Sequence, residues 1–160
     1  MSQSVYIETS VVSYCAARPS THIITAAKQA ITRTWWEQES PRFSLYISTV
    51  VEREASRGDP GAARKRIRLI HDLPLLAITT EVEELALHLI GKHLLPAHSE
   101  EDALHIAIAS VHGMNYLLTW NFKHIIYLFF RSALPNGSSF TMCFIDTKLC
   151  LIGLRRSLAR

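Results

Sequence analysis

The chain is predicted to be an α/β protein built on a mainly parallel sheet, and three observations predict it. Strand-like apolar runs alternate with segments of helical spacing, acidic residues follow several of those runs, and DALHIAIASV is apolar almost all round. Alternation at this spacing implies parallel pairing, right-handed crossovers and helices on both faces of the sheet. A helix with almost no polar face belongs against the sheet centre. The expected architecture is a three-layer α/β/α sandwich with a central, mainly parallel sheet of four to five strands.

Strands are read at about 4–8, 44–48, 75–78, 116–119 and 140–145, each a short apolar run. After the first, THIITAAKQAITRTWWEQ places Ile24, Ala27, Ile31 and Trp35 on one helical stripe. Asp59-Pro60 marks a helix start, an N-cap followed by proline at the first helical position. TTEVEELALHLIGKHL repeats the helical stripe with Val82, Leu85 and Leu89 and a polar end at Lys92 or His93. Ser99 before Glu100, Glu101 and Asp102 has the order of a capping box. Beyond Ile125 come bulky apolar residues, then Pro135, Asn136, Gly137 and two serines that read as a turn.

The 160 residues are expected to form a single domain over 1–160, large enough to bury its own core. With 48% hydrophobic and 19% charged residues the composition excludes disorder, and no apolar run is long enough for a membrane-spanning helix. The opening MSQSVYIETS lacks a basic region followed by an apolar stretch, so a cytoplasmic protein is expected. Cys15, Cys143 and Cys150 are odd in number and lack C-x-x-C spacing, which reads as buried free thiols. The net charge of +3, concentrated in RKRIR (64–68) and Arg155-Arg156, is compatible with a nucleic-acid partner; a solvated helix face accounts for RKRIR equally well.

Three acids carry the candidate chemistry: Glu8 after VYI, Glu54 at the end of LYISTVVERE, and Asp102 at the head of DALHIAIASV. In an open parallel sheet, acids scattered along the sequence converge in the crevice outside the carboxyl ends of the strands. Converging carboxylates repel one another unless a divalent cation neutralises them, which points to a metal-dependent hydrolase acting on phosphate esters. Each acid also has a plainer reading. Glu8 would stabilise a helix N-terminus through its dipole, and Asp102 would be the third helical residue of the capping box. Glu52 and Glu54 sit beside Arg53 and Arg57 and point about 160° apart on a helix, so only one reaches a shared site. The cost of burying an acid at the head of an apolar helix favours function for Asp102. His105, three residues on, is its candidate partner, whereas His88, His93 and His98 match no helical metal pair. No Gly-rich loop supports a metal-free phosphate site.

Taken in order, Y-I-E-T-S-V, E-A-S-R-G-D, D-A-L-H-I-A-I-A and L-L-T-W-N-F-K-H-I, with Trp35-Trp36, resemble the PIN-domain ribonucleases, specifically the VapC-like toxins of type II toxin-antitoxin systems, over about residues 4–125. The resemblance implies a PIN-like sandwich, a Mg²⁺ or Mn²⁺ site of dispersed acids, endonucleolytic cleavage of RNA phosphodiester bonds and restraint by a cognate antitoxin protein. A homodimer is also expected, and no membrane partner. Carried over by residue, the metal ligands fall on Glu8, Glu54 and Asp102, and the family's fourth acid falls on Asn121. Glutamate at position 8 is longer by one methylene and still reaches an oxygen-liking cation, whereas Asn121 removes a full charge from the place of a second metal. Asn121 is then expected to position a water or phosphate, and Thr9, Ser10, Thr119, Lys123 and His124 to contact the substrate. Residues 126–160 depart from the pattern and form an atypical tail. The alternative reading is a PIN-like domain that binds RNA or a partner chain without cutting.

Overall fold

A computed structural model of the chain describes residues 2–92, 95 and 99–121, and the backbone alone over 138–145 and 149–156. Strands β1 (Gln3–Ile7), β2 (Phe43–Ser48), β3 (Leu75–Leu76) and β4 (Tyr116–Thr119) run parallel in the order β3-β2-β1-β4. This is the parallel centre of a three-layer α/β/α sandwich. The short β3 follows Pro74, which has no N–H for a ladder but accepts from the Ile47 amide at 3.0 Å. Beyond β4 the described sheet continues with β6 (Leu149–Arg156), antiparallel to β4, and then β5 (Ser138–Ile145), antiparallel to β6. The sequence reading placed a strand near β5 but none at β6. LCLIGLRR is a short apolar run, which periodicity alone cannot assign to strand or helix.

Among the described residues the strands are connected by α1 (Thr9–Ala16), α2 (Ile23–Thr34), α3 (Thr49–Ala55), α4 (Pro60–Ile70), α5 (Thr80–Gly91) and α6 (Glu100–Val111). In α6, Ala103 and every residue from His105 to Ser110 is buried, the central position its composition demands. Burying each of its isoleucines is worth about 1.5–3 kcal/mol. Helix α5 packs on it and buries Val82, Leu85 and Leu89, the stripe read from the sequence. Helix α4 starts as expected, with Asp59 as N-cap accepting from the Ala62 amide at 2.7 Å and Pro60 in the first turn.

Helix α2 departs from its expected stripe. Ile24 is 62% exposed, Ala27 is exposed and Ile31 only half-buried, while Gln29, Thr32 and Trp35 are buried. The helix docks through polar bonds instead: the Gln29 amide bridges the Arg18 carbonyl and the Ser20 N–H, and Thr32 accepts from the Trp120 indole at 2.8 Å. Its end widens into a π-turn over Trp35–Glu39, where Trp35 stacks on Phe43. Cys15 is a free, half-buried thiol. Burial raises its pKa to about 11, with Arg33 opposing and Glu37 adding. Among the described residues no helix is long and apolar enough to cross a membrane.

Candidate metal centre

The strand order reverses between β1 and β4, which makes the carboxyl ends of these two strands the natural crevice of the sheet. The register pairs Ile7 with Leu118, and the Glu8 amide donates to the Leu118 carbonyl at 3.0 Å. Glu8 and Thr119 therefore leave the sheet side by side, and the Thr119 hydroxyl donates to Glu8 Oε2 at 2.8 Å. Glu8 is also the N-cap of α1: its backbone is extended and its Oε1 accepts from the Ser10 amide at 3.0 Å. The Ser10 hydroxyl bonds Oε2 of the same carboxylate and accepts from the Trp120 amide. Capping and site-building are thus one arrangement, not alternatives.

Glu54 arrives by a different route. Strand β2 ends at Ser48, and α3 carries Glu54 to its last turn, where Thr9 Oγ1 and His105 Nε2 bond its Oε2, the imidazole at 3.1 Å. LYISTVVERE is therefore half strand and half helix, the strand ending at Ser48 as its expected bounds of 44–48 imply. Glu8 Oε, Glu54 Oε and a His105 ring nitrogen lie within 4.8 Å of one another. Together with Ser99, Asp102, Asn121 and Glu101 these three residues line an open cleft of about 570 Å³. Arg53 and Arg57, read as local partners for Glu52 or Glu54, both turn to Glu101 on α6, at 3.9 and 2.8 Å.

Behind the carboxylates runs a buried chain that the sequence reading did not find. The Tyr6 hydroxyl lies 2.7 Å from Ser48 Oγ and 2.8 Å from His105 Nδ1, and His105 continues to Glu54. Tyr6 and Ser48 are fully buried and His105 is 2% exposed. Burial opposes a charge on His105, but its bond to Glu54 and the charges of Glu8, Glu54 and Asp102 raise its pKa above the ordinary value. Burial likewise pushes the Glu54 carboxyl up; the bond and charge of His105, then the bond from Thr9, overcome it and hold the group at about 2. With the imidazole protonated, both ring N–H groups donate, Nε2 to Glu54 and Nδ1 to Tyr6, which keeps its own proton chiefly through burial. The signal for His105 was its spacing from Asp102, but the ring reaches across to Glu54. Tyr6 carried a signal only in strand alternation, which puts it on the same face of β1 as Glu8.

Asp102 is the third residue of α6 and lines the same cleft, outside the group of three described above. The expected capping box does not form: Ser99 makes no side-chain cap bond, and its buried hydroxyl has no partner among the described residues. Asp102 Oδ1 instead accepts from the Asn121 amide at 2.6 Å, and the Asn121 backbone N–H donates to Thr119 Oγ1. Thr9, Ser10 and Thr119, expected to touch substrate, spend their hydroxyls on Glu54 and Glu8, and Thr119 is fully buried. Thr119 therefore sits behind the carboxylates, whereas Thr9 and Ser10 are half-buried and also line the cavity beside the cleft. Lys123 and His124 lie outside the described residues.

The donor set fits a divalent cation. From the described residues Glu8 accepts three hydrogen bonds and Glu54 two, against about four lone-pair sites on each ionised carboxylate. Both nitrogens of His105 are engaged, so its role in this arrangement is to orient Glu54. Tyr6→Phe tests that role: it leaves Ser48 and His105 short of a buried partner, costing about 1–3 kcal/mol. A Mn²⁺ affinity lowered by about 10–100-fold is expected, as for other groups that orient a ligand. Calorimetric titration checks it, and an unchanged affinity would leave Tyr6 with a packing role only. Comparison of the chain with family models, curated proteins and solved structures returns no match.

Proposed function

We propose that this protein is a Mg²⁺- or Mn²⁺-dependent endoribonuclease of the PIN-domain type, the toxin of a VapC-like toxin-antitoxin pair working in the cytoplasm. The observation that carries the reading is the convergence of Glu8 and Glu54 at the β1/β4 switch point, with Asp102 in the same cleft. Glu8, Glu54 and Asp102 would hold the cation, which supplies a Lewis acid and a water of lowered pKa. The chain does the positioning: Ser10 and Thr119 fix Glu8, Thr9 and His105 fix Glu54, and Asn121 fixes Asp102. Oxygen donors suit Mg²⁺ and Mn²⁺ alike, and a nearby imidazole is better tolerated by Mn²⁺. A homodimer and a cognate antitoxin belong to the same reading.

The test is cleavage of single-stranded RNA by purified protein with Mn²⁺, with EDTA, and by Glu8→Gln. Cleavage is expected in the first case and not in the other two. Wild-type rates in EDTA or in Glu8→Gln would remove the metal from the reaction and the proposal with it. One observation favours the second reading, a domain that binds RNA without cutting it: an amide, not an acid, stands against Asp102. RNA binding without cleavage at saturating Mn²⁺ would decide for it.

A further inference from the structure

We propose that a pocket between α1 and α4 is a phosphate subsite for single-stranded RNA, at the far end of the groove that begins in the metal cleft. The inference rests on the nuclease reading for its ligand. The pocket, of about 420 Å³, is lined by Ser13, Arg18, Asp59, Gly61, Lys65 and Arg66 among others. It shares Ser13 and Ala17 with a middle cavity of about 610 Å³ that holds Tyr14 and Gln29. That cavity in turn shares Glu8, Glu54 and Glu101 with the metal cleft. The three hollows thus adjoin in sequence, with the acids at one end, Arg57 in the middle and Arg18, Lys65 and Arg66 at the other.

The basic end is built. RKRIR divides by helical position: Arg64 and Arg68 line a separate hollow with His71, whereas Lys65 and Arg66 face α1. Arg66 is anchored by its bonds to the Ala55 and Arg57 carbonyls. The Arg18 backbone is fixed by Gln29, which donates to the Arg18 carbonyl at 2.9 Å, and by Arg33, which caps the carbonyls of Cys15 and Ala17. Arg18 and Lys65 form no ion pair among the described residues. Asp59, the acid among the described lining residues, is committed to the Ala62 amide. Two uncommitted cations beside a third that is anchored favour a phosphodiester over a neutral ligand.

The middle cavity supplies the other half of single-strand recognition. Tyr14 packs edge-on against Trp120 at 5.8 Å, and Lys28 Nζ stands 5.5 Å from its ring centroid. A braced aromatic between a basic pocket and a cutting site is the combination that binds single strands without reading sequence, bases stacking while phosphates pair with cations.

The experiment is fluorescence anisotropy of a labelled RNA dodecamer in EDTA, over a salt series, with wild type and Arg18→Glu/Lys65→Glu. Neither residue belongs to the metal centre. The double variant is expected to bind at least tenfold more weakly. Its slope of log affinity against log salt should be shallower by about 1.4, two phosphates at about 0.7 each. Its Mn²⁺ binding and melting temperature should stay unchanged; if charge reversal unfolds it, Arg18→Ala/Lys65→Ala should show the same loss in smaller measure. Equal affinity and slope, or no RNA binding by wild type, would overturn the proposal. So would an acidic peptide that binds as tightly and loses as much in the variant, which would make the pocket a protein-docking site. Normal slopes and losses in a protein that never cleaves with Mn²⁺ would instead sink the nuclease reading and leave the subsite standing.

Discussion

Glu54→Gln is expected to abolish Mn²⁺ binding and RNA cleavage together, each by more than about the hundredfold that loss of a merely supporting group can cost. It should also change how the metal-free protein responds to pH. Glu54 is held below its ordinary value of 4.5, so its ionised form adds stability that is complete above 4.5 and lost as the pH falls toward about 2. His105 is held above its ordinary 6.5, so its charge adds stability that is complete below 6.5 and lost as the pH rises through its folded value. This pair therefore contributes most between about pH 4.5 and 6.5. Thermal melts of the metal-free wild type should show the corresponding maximum, and Glu54→Gln should flatten it. Retention of Mn²⁺ affinity in the variant would remove Glu54 from the centre. Glu52, two residues earlier, does not line the cleft, and Glu52→Ala is the matched control.

What the sequence could show follows from how local each signal is. The parallel strands and the buried α6 announce themselves through composition, and Asp59-Pro60 through capping chemistry that acts within one turn. The acids were legible because carboxylates after apolar runs are costly wherever they sit. Their partners were not, because those bonds join residues far apart in the chain: Tyr6 to His105, Thr9 to Glu54, Thr119 to Glu8. A hydroxyl beside an acid in sequence looks available for substrate, and only the folded chain shows it turned to a carboxylate. Helix α2 misled for a related reason. Its apolar spacing was genuine, but Gln29 and Thr32 found polar partners that hold that face inward and leave Ile23 and Ile24 outside.

Asn121→Asp is expected to act in opposite directions on the metal-free and metal-bound protein. The Asn121 amide now donates to Asp102 Oδ1 at 2.6 Å, so this carboxylate has a donor beside it rather than a second acid. An aspartate in its place removes the donor and sets two carboxylates against each other, one of which must take up a proton or be neutralised. The metal-free variant should therefore be less stable near pH 8, with the effect moderated by solvent because both positions are only half-buried. Mn²⁺ should restore that loss and more, because a further acid in the cleft gives a second cation a ligand at about 3.5–4 Å from the first. Melting temperatures with and without Mn²⁺, calorimetric stoichiometry and cleavage rates at matched protein concentration measure the two effects separately. A variant that is destabilised without metal, binds more Mn²⁺ and cuts faster would identify Asn121 as the residue that limits the site. Equal stoichiometry and equal rates would mean that the missing charge does not matter, since the amide bond to Asp102 would then serve the site as well as a fourth acid.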